Sequence, residues 1–236
     1  MGGAGISEAL AVLQRGRIEV LGLLPYSSNY TFLARVDDLL AVYKPRRGER
    51  PLWDFPAGTL AARERAAFVV SEAAGWHIVP PTILRDGPLG DGSLQLFVEH
   101  DPDKHFFVLM EERLDEFRAF AAFDAVVNNA DRKAGHVLEG PDGRVWAVDH
   151  GVSFHTEPKL RTVIWQFAEE PLGEDVRTRL EQLGSAVADP DGVGGELERL
   201  LSAEEAAATL ARVETLLVED RFPSPVGDRP LPWPLI

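Results

Sequence analysis

Two aspartates stand at the two ends of one short stretch, "DRKAGHVLEGPDGRVWAVDHG" (residues 131–151). Asp131 follows an apolar helical run in a polar loop, and Asp149 ends the strand-like segment "VWAVD", with Gly151 two positions later. A carboxylate in a polar loop can accept the proton of a hydroxyl group. A carboxylate at a strand end can be presented to a metal ion. The pair therefore predicts a centre in which Asp131 faces a nucleophile and Asp149 binds metal.

Phosphoryl transfer needs these two acids and a cation on the phosphates. Lys44 ends the apolar run "LLAVY" and is placed to supply that cation, with Glu64 on the following helix as its partner. The segment "LQLFVEH" is expected to lie over a nucleotide base, with backbone groups of Phe97 and Val98 at the base edge. The residues together predict a site for ATP with a divalent metal.

The elements around these residues change in type along the chain. Apolar alternation and turn residues predict strands first, with one helix among them, and 3.6-residue periodicity predicts helices later. The expected strands are 17–25, 31–37 and 39–45, followed by strands in "PPTILRDG" and "SLQLFVEHD"; the expected helices are 57–76, a long run in "FVLMEERLDEFRAFAAFDAVVNNA", and 196–220. The pattern is typical of an α+β protein with an antiparallel sheet followed by a helical region.

A polar stretch with a proline, "EHDPDK" at 99–104, predicts the boundary between two lobes. Residues 1–99 would form a nucleotide-binding lobe, and residues 100–236 a helical catalytic lobe that ends in the proline-rich run "FPSPVGDRPLPWPLI". That run is expected to be an extended strap with Trp233 packed on the body. Two lobes of this kind are suited to holding a nucleoside triphosphate between them.

Composition limits the possible partners and location of the protein. The chain has 236 residues, 45% of them apolar, a formal net charge of −14 and no cysteine. Thiolate metal sites and disulfides are therefore excluded, and the charge disfavours nucleic acid and anionic membranes as partners. The sequence shows neither a secretory leader nor an apolar run of about 18 residues that could span a bilayer. A cytoplasmic location is the expectation.

The segments "DAVVNNADRKAGHVL" and "AVDHGVSF" resemble the catalytic loop and metal-binding strand of the phosphatidylinositol kinase-like superfamily. The similarity is greatest to small bacterial members and type II phosphatidylinositol 4-kinases, and more distant to HipA-type kinases. "ERAAFVVSEAAGWHIVPPT" also resembles the corresponding region of secreted atypical kinases. The resemblance covers residues 17–170 and implies a protein-kinase-like two-lobed fold and ATP-dependent transfer to a hydroxyl of a protein, lipid or metabolite.

Several residue roles are implied by this resemblance. Lys44 matches the phosphate-contacting lysine, Glu64 its helix partner, Asp131 the catalytic-loop aspartate and Asp149 the metal aspartate. "YSSNY" (26–30) takes the position of the phosphate loop, where hydroxyl, amide and backbone groups donate to phosphate. The residues concerned are Ser27, Ser28 and Asn29.

His136 departs from the family pattern, which has asparagine five residues after the loop aspartate. An imidazole ligand favours Mn²⁺ over Mg²⁺, and its metal affinity should fall as pH drops through its ordinary pKa of about 6.5. The departure keeps open a pseudokinase-type module that binds nucleotide without transfer. A third alternative is a metal-dependent hydrolase centre built from His136, Asp149, His150 and His155.

Overall fold

The computed structural model describes residues 3–25 and 30–236. Five antiparallel strands form one sheet in the order β1-β2-β3-β5-β4, and two short strands, β6 and β7, form a hairpin further along the chain. The strands are β1 Ile18–Leu23, β2 Phe32–Val36, β3 Leu39–Pro45, β4 Thr82–Gly87, β5 Gly90–Leu96, β6 Val137–Glu139 and β7 Val145–Ala147. The helices are α1 Gly3–Arg15, α2 Leu60–Ala73, α3 Phe106–Arg113, α4 Phe117–Val127, α5 Glu174–Val187, α6 Val193–Leu200 and α7 Ala203–Glu219. This confirms the predicted α+β class.

One face of the large sheet is covered by α1, a helix that was not predicted. Its apolar residues recur at helical spacing, and Ala9 and Leu13 are buried in a core with residues of β2, β3, β4 and β5. Tyr43 belongs to this core. Because successive side chains of a strand point to opposite faces, Lys44 is directed to the other side of the sheet, toward α2.

The helix α2 contributes apolar residues to the core of the helical region and also contacts β4 and β5. Its segment Ala66–Val70 is buried together with residues of α4, α5 and α7. The helix is shorter than the predicted 57–76, and it is followed by Gly75 in a left-handed conformation, with φ of 68°. One helix from the first hundred residues therefore packs against the body formed by the later helices.

Two predicted long helices are interrupted. A 3₁₀ turn at Leu114–Glu116 separates α3 from α4, and the expected 196–220 helix is divided into α6 and α7. The division falls at Ser202, which caps α7 reciprocally with Glu205: each side chain accepts from the other residue's backbone N–H. The helix α5 was not predicted.

The expected packing of Trp233 on the body was wrong, because this side chain is 87% exposed. Leu235 packs against the main core instead, and Phe222 is buried at the other end of the proline-rich run. Within residues 3–25 and 30–236, no helix has both the length and the apolar character to cross a bilayer.

Candidate active site

The structure brings Lys44, Glu64 and Asp149 together where the sheet meets the helical body. The Lys44 ammonium forms an ion pair with Glu64 of α2 and donates to Asp149 Oδ1 at 2.9 Å. Glu64 is almost enclosed, with 3% of its side chain exposed, whereas Asp149 is 53% exposed. The arrangement places a fixed cation beside one buried and one accessible carboxylate.

The charges in this cluster stabilise one another. Burial lowers the pKa of Lys44, but the carboxylates of Asp149 and Glu64 together outweigh it and raise the pKa above its ordinary value. The same lysine holds the pKa of Asp149 well below its usual range. Both groups are therefore charged at neutral pH, and the open side of Asp149 is available to a cation.

Asp149 has a left-handed backbone conformation, with φ of 61°. The turn that follows it passes close to α2: the His150 N–H donates to Glu64 Oε2 at 3.0 Å, and a Cβ on Gly151 would lie 3.4 Å from Leu60 Cβ. A side chain at this position would therefore be in ordinary van der Waals contact with α2. Glu64 is fixed from two sides, by Lys44 and by this turn.

Asp131 lies in the loop after α4. Its N–H donates to Asn129 Oδ1 at 3.0 Å, and its carboxylate forms an ion pair with Lys133 at 3.0 Å. Burial raises the pKa of Asp131, and the Lys133 ammonium offsets part of that rise. A carboxylate with a raised pKa accepts a proton more readily than an ordinary one.

His136 ends a 3₁₀ turn, Ala134–His136, and its Nε2 lies 3.5 Å from Asp149 Oδ2. Burial lowers the pKa of His136 to about 4, so the titration expected near pH 6.5 is displaced and the imidazole is neutral at pH 7. Its Nδ1 faces the Lys133 N–H at 3.5 Å, which places the ring proton on Nε2, toward Asp149. Metal binding through Nε2 requires that proton to leave.

A buried polar network beneath the loop was missed by the sequence reasoning. The Arg132 guanidinium donates to both carboxylate oxygens of Asp124, at 2.9 to 3.1 Å, and to Val148 O at 2.9 Å. It also donates to His150 Nε2 at 2.7 Å. Since arginine only donates, His150 carries its proton on Nδ1, 3.9 Å from Glu64 Oε2. The buried network therefore links the loop to the turn after Asp149. His150 Nδ1 itself has no hydrogen-bond partner, and the turn is joined to α2 through the His150 backbone N–H, which donates to Glu64 Oε2.

A signal for this network is present in the sequence. Asp124 is the one charged residue of the α4 segment "AFAAFDAVV", and a charge inside an apolar helix needs a buried partner. Arg132, next to the predicted catalytic aspartate, is that partner, and both side chains are fully buried. Their position beneath the loop makes them positioning residues.

The other predicted site residues have different outcomes. Ser27, Ser28 and Asn29 lie outside the described residues. Phe97 N–H donates to Leu40 O at 2.9 Å, and Val98 O accepts from His100 Nδ1 at 2.8 Å, so these two backbone groups already have partners. That Phe97 and Val98 meet a base edge stays a prediction, for which Phe97 C=O and Val98 N–H are the neighbouring backbone groups.

Asp149 and His136 are the two predicted metal ligands, and the structure places their side chains next to each other. Across residues 3–25 and 30–236, no three His, Cys, Asp or Glu side chains converge as a metal cluster. His150 is buried against Arg132, and the ring of His155 packs edge-on against Phe55. The four-residue hydrolase centre is thus not assembled, whereas one carboxylate and one imidazole fit a metal also held by phosphate oxygens.

A separate cleft of about 560 Å³ lies between the polar stretch after β5 and the turn that joins β6 to β7. Its lining includes Glu99, Asp101 and Glu139, and the Lys104 ammonium spans it to Glu139 Oε2 at 2.8 Å. None of the predicted site residues lines this cleft. The ion cluster at Lys44, rather than this cleft, therefore defines the candidate active site.

Solved structures with a similar fold include kinases. The Golgi casein kinase with Mn/ADP bound superposes with a TM-score of 0.59 at 14% identity, over 93% of this chain and 76% of that one. CtkA, a proinflammatory kinase of Helicobacter pylori, superposes with a TM-score of 0.54 at 10% identity, over 87% of this chain and 93% of that one. The Fam20 protein of hydra gives 0.51 at 14% identity, over 92% and 88%. The chain thus has the two-lobed kinase-like fold.

The chain belongs to the same family as Protein Rv2133c of Mycobacterium tuberculosis, to which it is 40% identical over 95% of its own length and 94% of that protein. It is also 30% identical to phosphatidylinositol 4-kinase gamma 4 of Oryza sativa subsp. japonica, over 57% of this chain and 27% of the rice protein. No protein-family model matches the chain.

Proposed function

We propose that the protein is an ATP-dependent phosphotransferase that moves the γ-phosphate to a hydroxyl group of a protein, lipid or small molecule. The observation that carries the proposal is the contact of Lys44 with both Glu64 and Asp149 between the two lobes. A structural ion pair would not need the second, half-exposed carboxylate. The kinase-like fold and the short match to a phosphatidylinositol 4-kinase support the same assignment.

Each residue has one task in this proposal. Lys44 binds the phosphates of ATP, and Glu64 holds the ammonium in place. Asp131 accepts the proton of the acceptor hydroxyl while the oxygen of that hydroxyl bonds to the γ-phosphorus. The bond from that phosphorus to the β,γ-bridging oxygen breaks, and ADP leaves with the electron pair.

Asp149 and His136 would hold a Mg²⁺ or Mn²⁺ ion. Bound there, the ion neutralises charge on the phosphate oxygens. The Lys44 ammonium keeps the Asp149 carboxylate ionised, and the low pKa of His136 keeps its ring neutral. Binding of the metal through His136 Nε2 would also require the ring proton to move from Nε2 to Nδ1. The base would meet Phe97 C=O and Val98 N–H. These groups are next to Phe97 N–H and Val98 C=O, which already have hydrogen-bond partners. Residues 26–29 would contribute phosphate contacts through Ser27, Ser28 and Asn29.

The test measures binding and transfer on the same protein. ATP with Mg²⁺ or Mn²⁺ should raise the unfolding temperature, because a ligand that binds only the native state stabilises it by about 2.7 kcal/mol at a hundred times its Kd. Labelled γ-phosphate should then appear in one of three acceptor pools: proteins, inositol lipids or metabolites. Asp149→Ala should remove the metal-dependent shift. Absence of any shift at millimolar nucleotide with either metal would refute the proposal.

A pseudokinase-type nucleotide-binding module is the second candidate. It is favoured by the arrangement of His136, whose ring proton faces Asp149 in place of a metal. This alternative predicts the same thermal stabilisation by ATP but no transfer to any of the three acceptor pools and no release of γ-phosphate to water. The two candidates therefore differ in turnover alone.

A further inference from the structure

The proline-rich strap, defined as residues 222–236, runs beside the loop that carries Asp131 and His136. Its first residue, Phe222, is buried and exchanges backbone hydrogen bonds with the segment before α5, through Glu170 O at 3.0 Å and Glu169 N–H at 3.2 Å. Its last residues lie at the Ala134–His136 turn, where a Cβ on Gly135 would be 3.8 Å from Ile236 Cγ2. The strap is thus fixed at both ends.

A backbone contact joins the strap to the catalytic-loop turn. Leu235 C=O accepts a hydrogen bond from Ala134 N–H at 2.8 Å. Ala134 is fully buried and begins a 3₁₀ turn, where the first N–H groups have no partner within the turn itself. The strap therefore supplies an acceptor that water cannot readily replace, on the turn that orients His136.

A second contact lies on the other side of the loop. Pro230 C=O accepts from Thr162 N–H at 3.2 Å and from Trp165 Nε1 at 3.1 Å. Thr162 forms an isolated parallel β-bridge with Arg132 through the backbone, and the Thr162 hydroxyl donates to Asp124 at 3.3 Å. The strap thus contacts both backbone stretches that enclose Asp131.

We propose that residues 229–236 are a positioning element that holds the 131–136 loop in its transfer-competent conformation. The inference rests on the proposed phosphotransferase function. The hydrogen bonds of this segment to the loop region are made with the backbone of Ala134 and Thr162, so the segment acts through the backbone and not through the carboxylates of the site. Leu235, whose side chain packs on the main core, is the residue that docks the segment.

The test compares two leucines of the same strap. Leu235→Ala and a deletion of residues 229–236 remove the docking, and Leu231→Ala is the matched control, because Leu231 is 47% exposed. Hydrogen exchange of the Ala134 amide reports the contact. ATP turnover, followed as release of γ-phosphate without added acceptor, gives kcat and KM.

Loss of docking should speed exchange of the Ala134 amide by on the order of tenfold, the equilibrium value of one hydrogen bond. The kcat should fall by on the order of tenfold to a hundredfold, as expected for a displaced catalytic group, while KM for ATP stays within about twofold. Leu231→Ala should match wild type. Leu235→Met should restore kcat, because it conserves side-chain volume. A purely structural role would change the unfolding temperature without separating kcat from KM.

Four results would overturn the inference. Wild-type exchange at Ala134 in the deletion variant would show that the contact is not made. Unchanged kcat together with fast exchange would show that the loop keeps its conformation without the strap. A raised kcat would show that the strap is inhibitory. A wild-type protein that neither binds nor turns over ATP would refute the proposed function and the positioning role together, and the exchange result would still distinguish this case from a missing contact.

Discussion

The sheet and the helical body contribute unequally to the candidate site. The sheet has its own core with α1 and supplies Lys44. The other residues belong to segments packed in or against the body: Glu64, Asp131, His136 and Asp149. One of these segments is α2, which precedes β4 and β5 in the chain. A cation from one region thus meets acids from the other. The two regions are therefore joined by opposite charges at the point where the chemistry is proposed.

The largest effect is expected within the body, at Asp131. Asp131→Asn keeps the size of the side chain but removes the proton acceptor, so transfer should fall by about 10²- to 10⁴-fold. The thermal shift by ATP and metal should persist, since Asp131 is not proposed to bind either. Labelled transfer and thermal shift on the same preparation measure the two effects. Loss of the ATP shift together with transfer would assign Asp131 a binding role instead.

The attachment of α2 to the body can be broken at Arg63. Its fully buried guanidinium donates to Glu205 of α7 at 2.6 Å and to Ser153 O at 2.6 Å. Arg63→Met should lower the free energy of unfolding by about 3 to 5 kcal/mol, because a buried pair loses one partner. Urea denaturation followed by circular dichroism measures this change.

Arg65→Met is the matched control for that variant. Arg65 lies on the same helix, pairs with Glu196 at 2.8 Å and donates to Thr82 O at 2.7 Å. The pair is partly exposed, so the ion pair and this hydrogen bond together should cost about 1 to 2 kcal/mol. Equal losses for the two variants would show that α2 is not held to the body more firmly by Arg63.

The link between the two regions is Lys44. Lys44→Met should lower turnover by about 10²- to 10³-fold, in the range found when one preorganised charge donor is removed. It should also cost about 1 to 3 kcal/mol of stability, because Glu64 is left buried without its cation. Adding Glu64→Gln should recover stability but not turnover. Recovery of both would reduce the pair to a structural contact.

Local pattern was sufficient to predict most of the sheet and several charged residues of the site. The strands β2 and β3 have alternating burial and are joined by a tight turn at Asp37 and Asp38, which are short-range features. The helix α1 and the break at Ser202 also have local signals, in the spacing of Ile6, Ala9 and Leu13 and in the reciprocal Ser202–Glu205 cap. Those signals were present and were not used.

Long-range contacts could not be predicted in the same way. The pairing of Asp124 with Arg132 and His150 depends on how α4 packs under the loop, and the exposure of Trp233 depends on which residue of the strap reaches the core. Apolar character alone does not distinguish Trp233 from Leu235. Such choices follow from tertiary packing, which outweighs local preference.

The smallest expected effect is at His136, which tests whether the body supplies one metal ligand or two. If Nε2 binds metal, wild type should prefer Mn²⁺ over Mg²⁺ for nucleotide binding, and His136→Asn should shift that preference toward Mg²⁺ by about tenfold or less. Because the His136 pKa is about 4, wild-type affinity should stay level from pH 8 down to pH 5.5. Isothermal titration of ATP with each metal measures both quantities. If the variant keeps the metal preference of wild type, His136 donates to Asp149 and orients it, and the cation is held by Asp149 and the phosphates.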